Sequence, residues 1–157
     1  MRADLLSFLY DWNFRAININ VEGISHEQSM LQPERGNCLN WVVGHILASR
    51  NSILELLGEM PVMAKSAAER YKRGSQPITD AADAVAFGDL LADLAKSQAL
   101  LAAKLESLGD DALDSHPSPD DKKTLADSLA FLQFHEAYHT GQLGVLRRLA
   151  GKDGAIK

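Results

Sequence analysis

The sequence contains few residues that cross-link, bend or interrupt a chain: one cysteine, five prolines and eleven glycines among 157 residues. The single cysteine, Cys38, can form neither an internal disulfide nor a thiolate metal cluster, which fits a reducing compartment. Proline and glycine make up about a tenth of the chain, too little for a disordered or low-complexity protein. We expect one domain with a single sizeable core over residues 1–157, with a frayed tail from about residue 151.

An excess of positive charge and long apolar runs are also missing. Sixteen Lys and Arg against 21 Asp and Glu give a formal net charge of −5 without a basic cluster, so neither a nucleic acid nor a membrane is the expected partner. The longest stretch free of these four residue types, Gly36 to Ser49, is too short to span a bilayer. Asp4, Asp11 and Arg15 interrupt the first segment, so we predict no signal peptide and a cytoplasmic protein.

The residues that are present recur at helical spacing. A first helix is predicted to end near Val21, before Glu22 and Gly23. A second is predicted to begin at Asn37 or Asn40, either of which could cap it, and to reach about Gly58. The apolar residues of the first helix lie close to one face: Leu5, Leu9, Trp12 and Ile19, widened by Leu6 and Phe8.

Two further long helices follow in the second half of the chain. One is predicted from about Ala81 to Leu108, closed by Gly109, and another from a capping box at Thr124 and Asp127 to Ala150. Loops are predicted around Gly74 to Pro77 and His116 to Pro119, and Ala67 to Tyr71 could form a short helix. Four helices without a convincing strand predict an all-α fold, a four-helix bundle.

The last predicted helix carries His135 and His139 four residues apart. At about 100° per residue the two imidazoles are only about 40° apart, one turn above the other, so both can reach a single ion. Leu132 and Leu146 share their face, which indicates that the pair points into the bundle. A helix that carries two histidines without a metal remains the alternative.

The same residues match two known metal motifs that we consider unlikely here. His135-Glu136-Ala137-Tyr138-His139 has the H-E-x-x-H pattern of zinc proteases, with Glu136 as base. Such proteases take a third ligand further along the chain, and the 18 residues after His139 contain neither Glu nor His. A di-iron bundle site needs a second E-x-x-H, and no other histidine has a glutamate three residues before it.

A third ligand must therefore come from upstream, and His45 is the candidate. It lies in the apolar second helix, on a face with Trp41 and Ser49, although a lone histidine there is more often a hydrogen-bonded core residue. Gly44 beside it would let a backbone or a substrate approach closely. His26 and His116 fall in predicted loops, and we expect both to be solvated.

The segment around His45 and the segment around His135 and His139 together resemble the DinB/YfiT-like superfamily. The resemblance rests on Trp41-x-x-Gly44-His45-Ile46 together with His135-x-x-Tyr138-His139-x-Gly141-Gln142, and it covers nearly the whole chain. It implies a four-helix bundle, often a homodimer, that holds one divalent metal through His45, His135 and His139. It also implies an enzyme: characterised members are thiol-dependent S-transferases and isomerases, and many others are described only as metal-dependent hydrolases.

Three functions stay open from the sequence. The first is a transferase that uses a low-molecular-weight thiol activated by the metal; the second is a hydrolase that uses metal-activated water. The third is a non-catalytic bundle tied together by its metal, or a stress-related binding protein. Imidazole suits Zn, Ni and Fe alike, and Cu as well, so the metal is not readable from the sequence.

Several neighbouring residues are candidates for supporting roles. Glu136 could orient a ligand or form a surface ion pair, and Gln142, one turn beyond His139, could bond to a ligand ring or line the pocket. Trp41 and Ser49 are further pocket candidates. Packing is the default expectation for Tyr138, and Cys38 is read as a packed small residue rather than a nucleophile. The expected partner is a small molecule, with a thiol as the leading class.

Overall fold

Helices account for all the regular structure in the computed structural model, which describes residues 2–117 and 122–156 and has no strand in those ranges. Between α4 and α5 lies a single 3-10 turn, Ala81–Asp83. The helices are α1 Arg2–Val21, α2 His26–Ser29, α3 Leu39–Leu56, α4 Lys65–Tyr71, α5 Phe87–Ser107, α6 Asp110–Leu113 and α7 Leu125–Leu149.

The four long helices α1, α3, α5 and α7 form the predicted bundle. Helix α1 packs against α5 and α7, and α3 packs against the same two helices, so the order around the bundle is α1, α7, α3, α5. The fold class is therefore confirmed. Because α3 and α7 are direct neighbours, side chains on their facing surfaces can meet although they are distant in the chain.

Two of the predicted helix ends are confirmed by their caps. Helix α7 begins with the predicted capping box, in which Thr124 accepts from the Asp127 N–H and Asp127 accepts from the Thr124 N–H. Helix α3 is followed by Gly58 at a φ of 76°, in the left-handed region that ends helices. Ser118 and Pro119, in the predicted loop that starts at His116, lie outside the described residues.

Helix α3 begins at Leu39, between the two predicted starts, but its predicted cap is wrong. Cys38 occupies the N-cap position without a side-chain hydrogen bond, so neither Asn37 nor Asn40 caps the helix. Asn40 is instead buried, where its amide donates to the Val85 carbonyl and accepts from the Tyr71 hydroxyl. An asparagine with two buried partners gains more there than at a solvated cap.

The third long helix and one histidine also differ from the prediction. Helix α5 begins at Phe87 rather than near Ala81, because the Asp80 side chain caps a separate 3-10 turn. Gly109 does not simply close α5, since it is the N-cap of α6. His26 is not in a loop: it begins α2, is partly buried, and accepts a hydrogen bond from the Phe87 N–H.

Helix α1 turns a different face to the core from the one that the apolar residues mark. Leu5, Trp12 and Ile19 are 42–58% exposed, and Phe8 is exposed as well. The face in the core carries apolar residues together with two asparagines, and α7 and α5 cover it. Its buried residues are Ala3, Leu6, Tyr10, Asn13, Ile17, Asn20 and Val21.

Within the described ranges, no helix is both long and apolar enough to cross a membrane. Residues 150–156, which follow α7, are not helical, and the Asp153 carbonyl accepts a hydrogen bond from the Arg147 side chain.

Candidate metal centre

Three histidines from two neighbouring helices meet at the surface between α3 and α7. His45 lies on α3, and His135 and His139 lie one turn apart on α7. The Nε2 atom of His135 is 3.2 Å from that of His45 and 3.1 Å from that of His139. One nitrogen from each ring lies within 4.8 Å of the other two, so the group could hold a metal ion.

The position of the His45 proton follows from its neighbour. Its Nδ1 lies 2.6 Å from the Tyr71 carbonyl oxygen, which can only accept, so Nδ1 carries the hydrogen. In a neutral ring Nε2 is then an unprotonated acceptor that faces the other two histidines. Trp41 fixes the plane of this imidazole, because the rings stack at 4.7 Å with an angle of 12° between them.

His139 has the same arrangement through a side chain. Its Nδ1 donates to Oε1 of Gln142 at 2.8 Å, which again leaves Nε2 unprotonated. The Nε2 of His135 carries at most one hydrogen, so it can donate to only one of the Nε2 atoms of His45 and His139. Its buried Nδ1 has no partner among the described residues. Protein groups thus leave this cluster of acceptors unsatisfied, whereas one cation would satisfy all three Nε2 atoms, so the residues fit a metal.

All three histidines are held in the neutral form that binds metals. Burial is the largest cause that lowers the pKa of each ring below its usual value. Repulsion between the rings adds to it: His139 lowers the pKa of His45, His45 that of His135, and His135 that of His139. The site therefore favours unprotonated imidazole at neutral pH.

The histidines line a cavity of about 1200 Å³ between α3 and α7. Trp41, Ser49 and Gln142 lie on its wall, and so does Tyr138, which is 60% exposed rather than packed in the core. Leu132 and Leu146 line it too, so their face of α7 borders the cavity as well as the interior. The cavity gives a small molecule access to the three rings.

A comparison with protein families gives a match over most of the chain. Residues 10–143 match the family model of the DinB superfamily. The chain belongs to the DinB superfamily. The matched region includes His45, His135 and His139, and none of the curated proteins compared matches the chain.

In this DinB-superfamily protein, Gly44 gives room to an aromatic ring rather than to a backbone or a substrate. A Cβ on Gly44 would lie 2.2 Å from Cδ1 of Tyr71, closer than any van der Waals contact. The Tyr71 hydroxyl donates to Asn40 and accepts from the Val85 N–H, which anchors the far end of the ring. This packing sets the Tyr71 carbonyl against His45.

The Glu136 carboxylate is buried in an ion pair with Arg50, so among the described residues it forms neither the expected surface pair nor a bond to a histidine. It is 1% exposed and forms a two-point ion pair with Arg50, with N–O distances of 2.7 and 2.9 Å. Arg50 also donates to Ser97 and Gln98 on α5. Glu136 thus joins the helices that carry the histidines, and it does not line the cavity.

Two contributors to the site were missed from the sequence. Tyr71 acts through its backbone carbonyl, which has no sequence signal. Arg50 did have a sequence signal. It lies on the same face of α3 as Val43, Ile46 and Leu47, and a charge on such an apolar face requires a buried partner. His116 is exposed and away from the cavity, as expected, while the Cys38 thiol is buried against the Ile78 carbonyl.

Proposed function

We propose that this DinB-superfamily protein is a metal-dependent S-transferase that joins a low-molecular-weight thiol to an electrophilic acceptor. His45, His135 and His139 would hold the divalent ion. One observation carries the proposal: three imidazole acceptors border a large cavity whose described lining contains no Asp or Glu.

The chemistry suits this set of residues. A bound divalent ion would supply the Lewis acidity that lowers the pKa of a thiol. In the overall reaction the sulfur–carbon bond forms as the bond from that carbon to its leaving group breaks, and the thiol proton passes to solvent. The protein's part is to hold the His45 ring through Tyr71 and Trp41 and the His139 ring through Gln142, and to provide room for both reactants.

Hydrolysis with metal-activated water is less well supported. Such enzymes commonly place a carboxylate beside the metal as a general base or acid. The carboxylate nearest in sequence to the histidines is that of Glu136. Arg50 already binds both of its oxygens inside the bundle. A thiol, which ionises more readily than water, needs less help from a base.

The test is turnover of a thiol with an electrophilic acceptor such as monobromobimane, after subtraction of the uncatalysed rate. We would measure cysteine, glutathione and other cellular thiols with protein loaded with zinc, nickel or iron. Metal-dependent turnover that His45→Ala abolishes and His116→Ala retains is expected. If no thiol turns over while activated esters are hydrolysed in a metal-dependent way, the transferase proposal is wrong. Absence of both activities in metal-loaded protein would favour a non-catalytic role.

We further propose that the chain forms a homodimer through α1 and α7. These neighbouring helices expose a set of large apolar side chains that a soluble monomer seldom leaves in water. Phe8 and Trp12 pack edge to face on α1, with their centroids 6.2 Å apart. The set comprises Leu5, Phe8, Trp12, Phe134, Tyr138 and Val145, all more than half exposed.

Sedimentation velocity over a concentration series tests the dimer. We expect twice the monomer mass for the native chain, and the monomer mass for Trp12→Glu and Phe134→Glu. Met60→Glu, at another highly exposed apolar residue, is the matched control and leaves the dimer intact. A native chain that sediments as a monomer throughout would rule this dimer out.

A further inference from the structure

The charged side chains that line the cavity are all of one sign. They are Arg35, Lys72 and Arg73, and no described lining residue is acidic. The chain as a whole has the opposite balance, with a net charge of −5. The cavity is therefore a positive region on an acidic protein, and low-dielectric walls concentrate such a field.

Two separate loops bring these charges together. Arg35 lies between α2 and α3, and Lys72 and Arg73 follow directly after α4. All three residues are exposed, so their charged groups can reach a ligand. The loop after α4 also follows Tyr71, whose carbonyl bonds to His45, so it is tied to the histidine cluster.

The two arginines are free to bind an anion. Lys72 pairs with Glu69 on its own helix turn, but neither Arg35 nor Arg73 forms an ion pair within residues 2–117 and 122–156. Guanidinium groups match carboxylates and phosphates in a two-point geometry.

We propose that the small molecule bound in this cavity carries an anionic group, a carboxylate or a phosphate, which Arg35 and Arg73 bind while its other end reaches the three histidines. This inference deepens the proposed function. It rests on that function for the thiol group near the histidines, but not for the anionic group at the arginines. It assigns the two arginines a role in substrate selection, and neither takes part in the bond changes.

Binding to the cobalt(II)-loaded protein tests this without turnover. Sulfur bound to cobalt(II) gives a charge-transfer band, so thiol affinity can be read from absorbance. The probes are 6-mercaptohexanoate and 6-mercaptohexanol, which have the same length and differ in charge. We expect the acid to bind about tenfold more tightly at low salt, with the difference shrinking as salt is added. A 6-mercaptohexyl phosphate probe identifies the preferred anion by its affinity relative to the carboxylate.

Variants separate the arginines from other sources of acid preference. Arg73→Gln and Arg35→Gln are each expected to reduce the acid-to-alcohol ratio, and the double variant to bring it close to one. Arg15→Gln removes an exposed arginine of α1 that does not line the cavity, so it leaves the ratio unchanged. A preference that persists in the double variant would overturn the inference, because another group would then bind the carboxylate.

The remaining outcomes distinguish this inference from the proposed function. If both thiols give the band with equal affinity, the anion inference is wrong and the thiol chemistry stands. If neither thiol gives the band, adipate binding is measured by calorimetry. Adipate affinity that depends on Arg35 and Arg73 supports the anion inference and contradicts the thiol chemistry, and absence of adipate binding contradicts both.

Discussion

At the scale of single residues, the candidate centre depends on which ring nitrogen of each histidine carries a hydrogen. Tyr71 and Gln142 fix this for His45 and His139 by accepting from Nδ1. Both rings then present the opposite nitrogen to the same point in space. Partners of this kind also orient a metal-bound ring and make it a better ligand.

Gly44 permits the contact that places Tyr71, so Gly44→Ala should disturb both the fold and the centre. The new Cβ would lie 2.2 Å from Cδ1 of Tyr71, and the ring and its backbone must move away. We expect a loss of about 1–3 kcal/mol in the free energy of unfolding, as for other overpacked sites, together with weaker metal binding. Urea denaturation and a zinc titration measure the two effects.

Gly88→Ala is the matched control, since a Cβ there meets nothing within 4 Å and the residue lies in helix α5. It should leave stability unchanged or raise it by up to about 1 kcal/mol, with metal affinity unaltered. Equal stability losses from both alanines would contradict the packing role of Gly44.

The lowered pKa values of the three histidines predict the pH dependence of metal affinity. Protons compete with a metal only where the rings titrate, which is below the usual histidine pKa of about 6.5. Affinity should therefore be nearly constant from pH 8 to pH 7 and fall steeply below about pH 6.5. A competition assay with a chelator of known pH dependence measures it. An affinity that drops markedly between pH 8 and pH 7 would contradict neutral rings.

The same shifts affect the metal-free protein. In the unfolded chain these histidines bind protons at a higher pH than in the folded chain. The folded state is thus favoured fully above about pH 6.5, and this contribution is lost as the pH falls through the lowered values.

Sequence reasoning reached the three histidines and Gln142, but it missed the Tyr71 carbonyl. The four-residue spacing of His135 and His139 is a direct consequence of helix geometry, so it can be read from the sequence. The role of the Tyr71 carbonyl depends on how the chain after α3 returns to pack on Gly44, which is set by tertiary structure. Gln142 was named because it is one turn from His139, and it contacts that ring.

At the scale of helices, a buried polar layer joins the elements that carry the centre. Arg50 of α3 pairs with Glu136 of α7 and donates to Ser97 and Gln98 of α5, between two apolar clusters of the core. The layer fixes how far α3 and α7 can slide past each other, because a slide would leave buried charges unpaired. It therefore helps to set His45 opposite His135.

Removal of one partner tests this layer. Glu136→Gln leaves the buried Arg50 without its counter-charge, and we expect a loss of about 3–5 kcal/mol in the free energy of unfolding. Glu59→Gln is the control: it weakens a partly exposed pair with Lys104 and should cost less than about 1 kcal/mol. The double change Arg50→Met with Glu136→Leu should be less destabilised than Glu136→Gln alone. Equal, small losses from Glu136→Gln and Glu59→Gln would contradict the account.

Helix positions were easier to predict than helix faces. The capping box of Thr124 with Asp127 depends on local hydrogen bonds, and the sequence predicts it, although the cap of α3 was not predicted correctly. The buried face of α1 was not, because Leu5 and Trp12 are more apolar than the Ala3 and Asn13 that the bundle covers. Apolar periodicity indicates that one helix face avoids water. It does not say whether the core or a second chain covers that face.

At the scale of the whole molecule, bundle order converts distant sequence positions into one centre. His45 and His135 are 90 positions apart, yet they meet because α3 and α7 pack side by side. Four helices were predictable from the sequence, while their order around the bundle was not, since periodicity says nothing about which helix lies beside which. The pairing of the two histidine helices was predicted in another way, from the lack of a third ligand after His139, and the family resemblance agreed with it.

The central claim is that these three histidines together hold one divalent ion. Metal content after zinc loading and dialysis, measured by inductively coupled plasma mass spectrometry, tests it most directly. We predict one ion per chain in the native protein and in the His26→Ala and His116→Ala controls, and loss of the ion in His45→Ala, His135→Ala and His139→Ala. A native chain that retains no metal, or a His45→Ala variant that retains a full equivalent, would contradict the account.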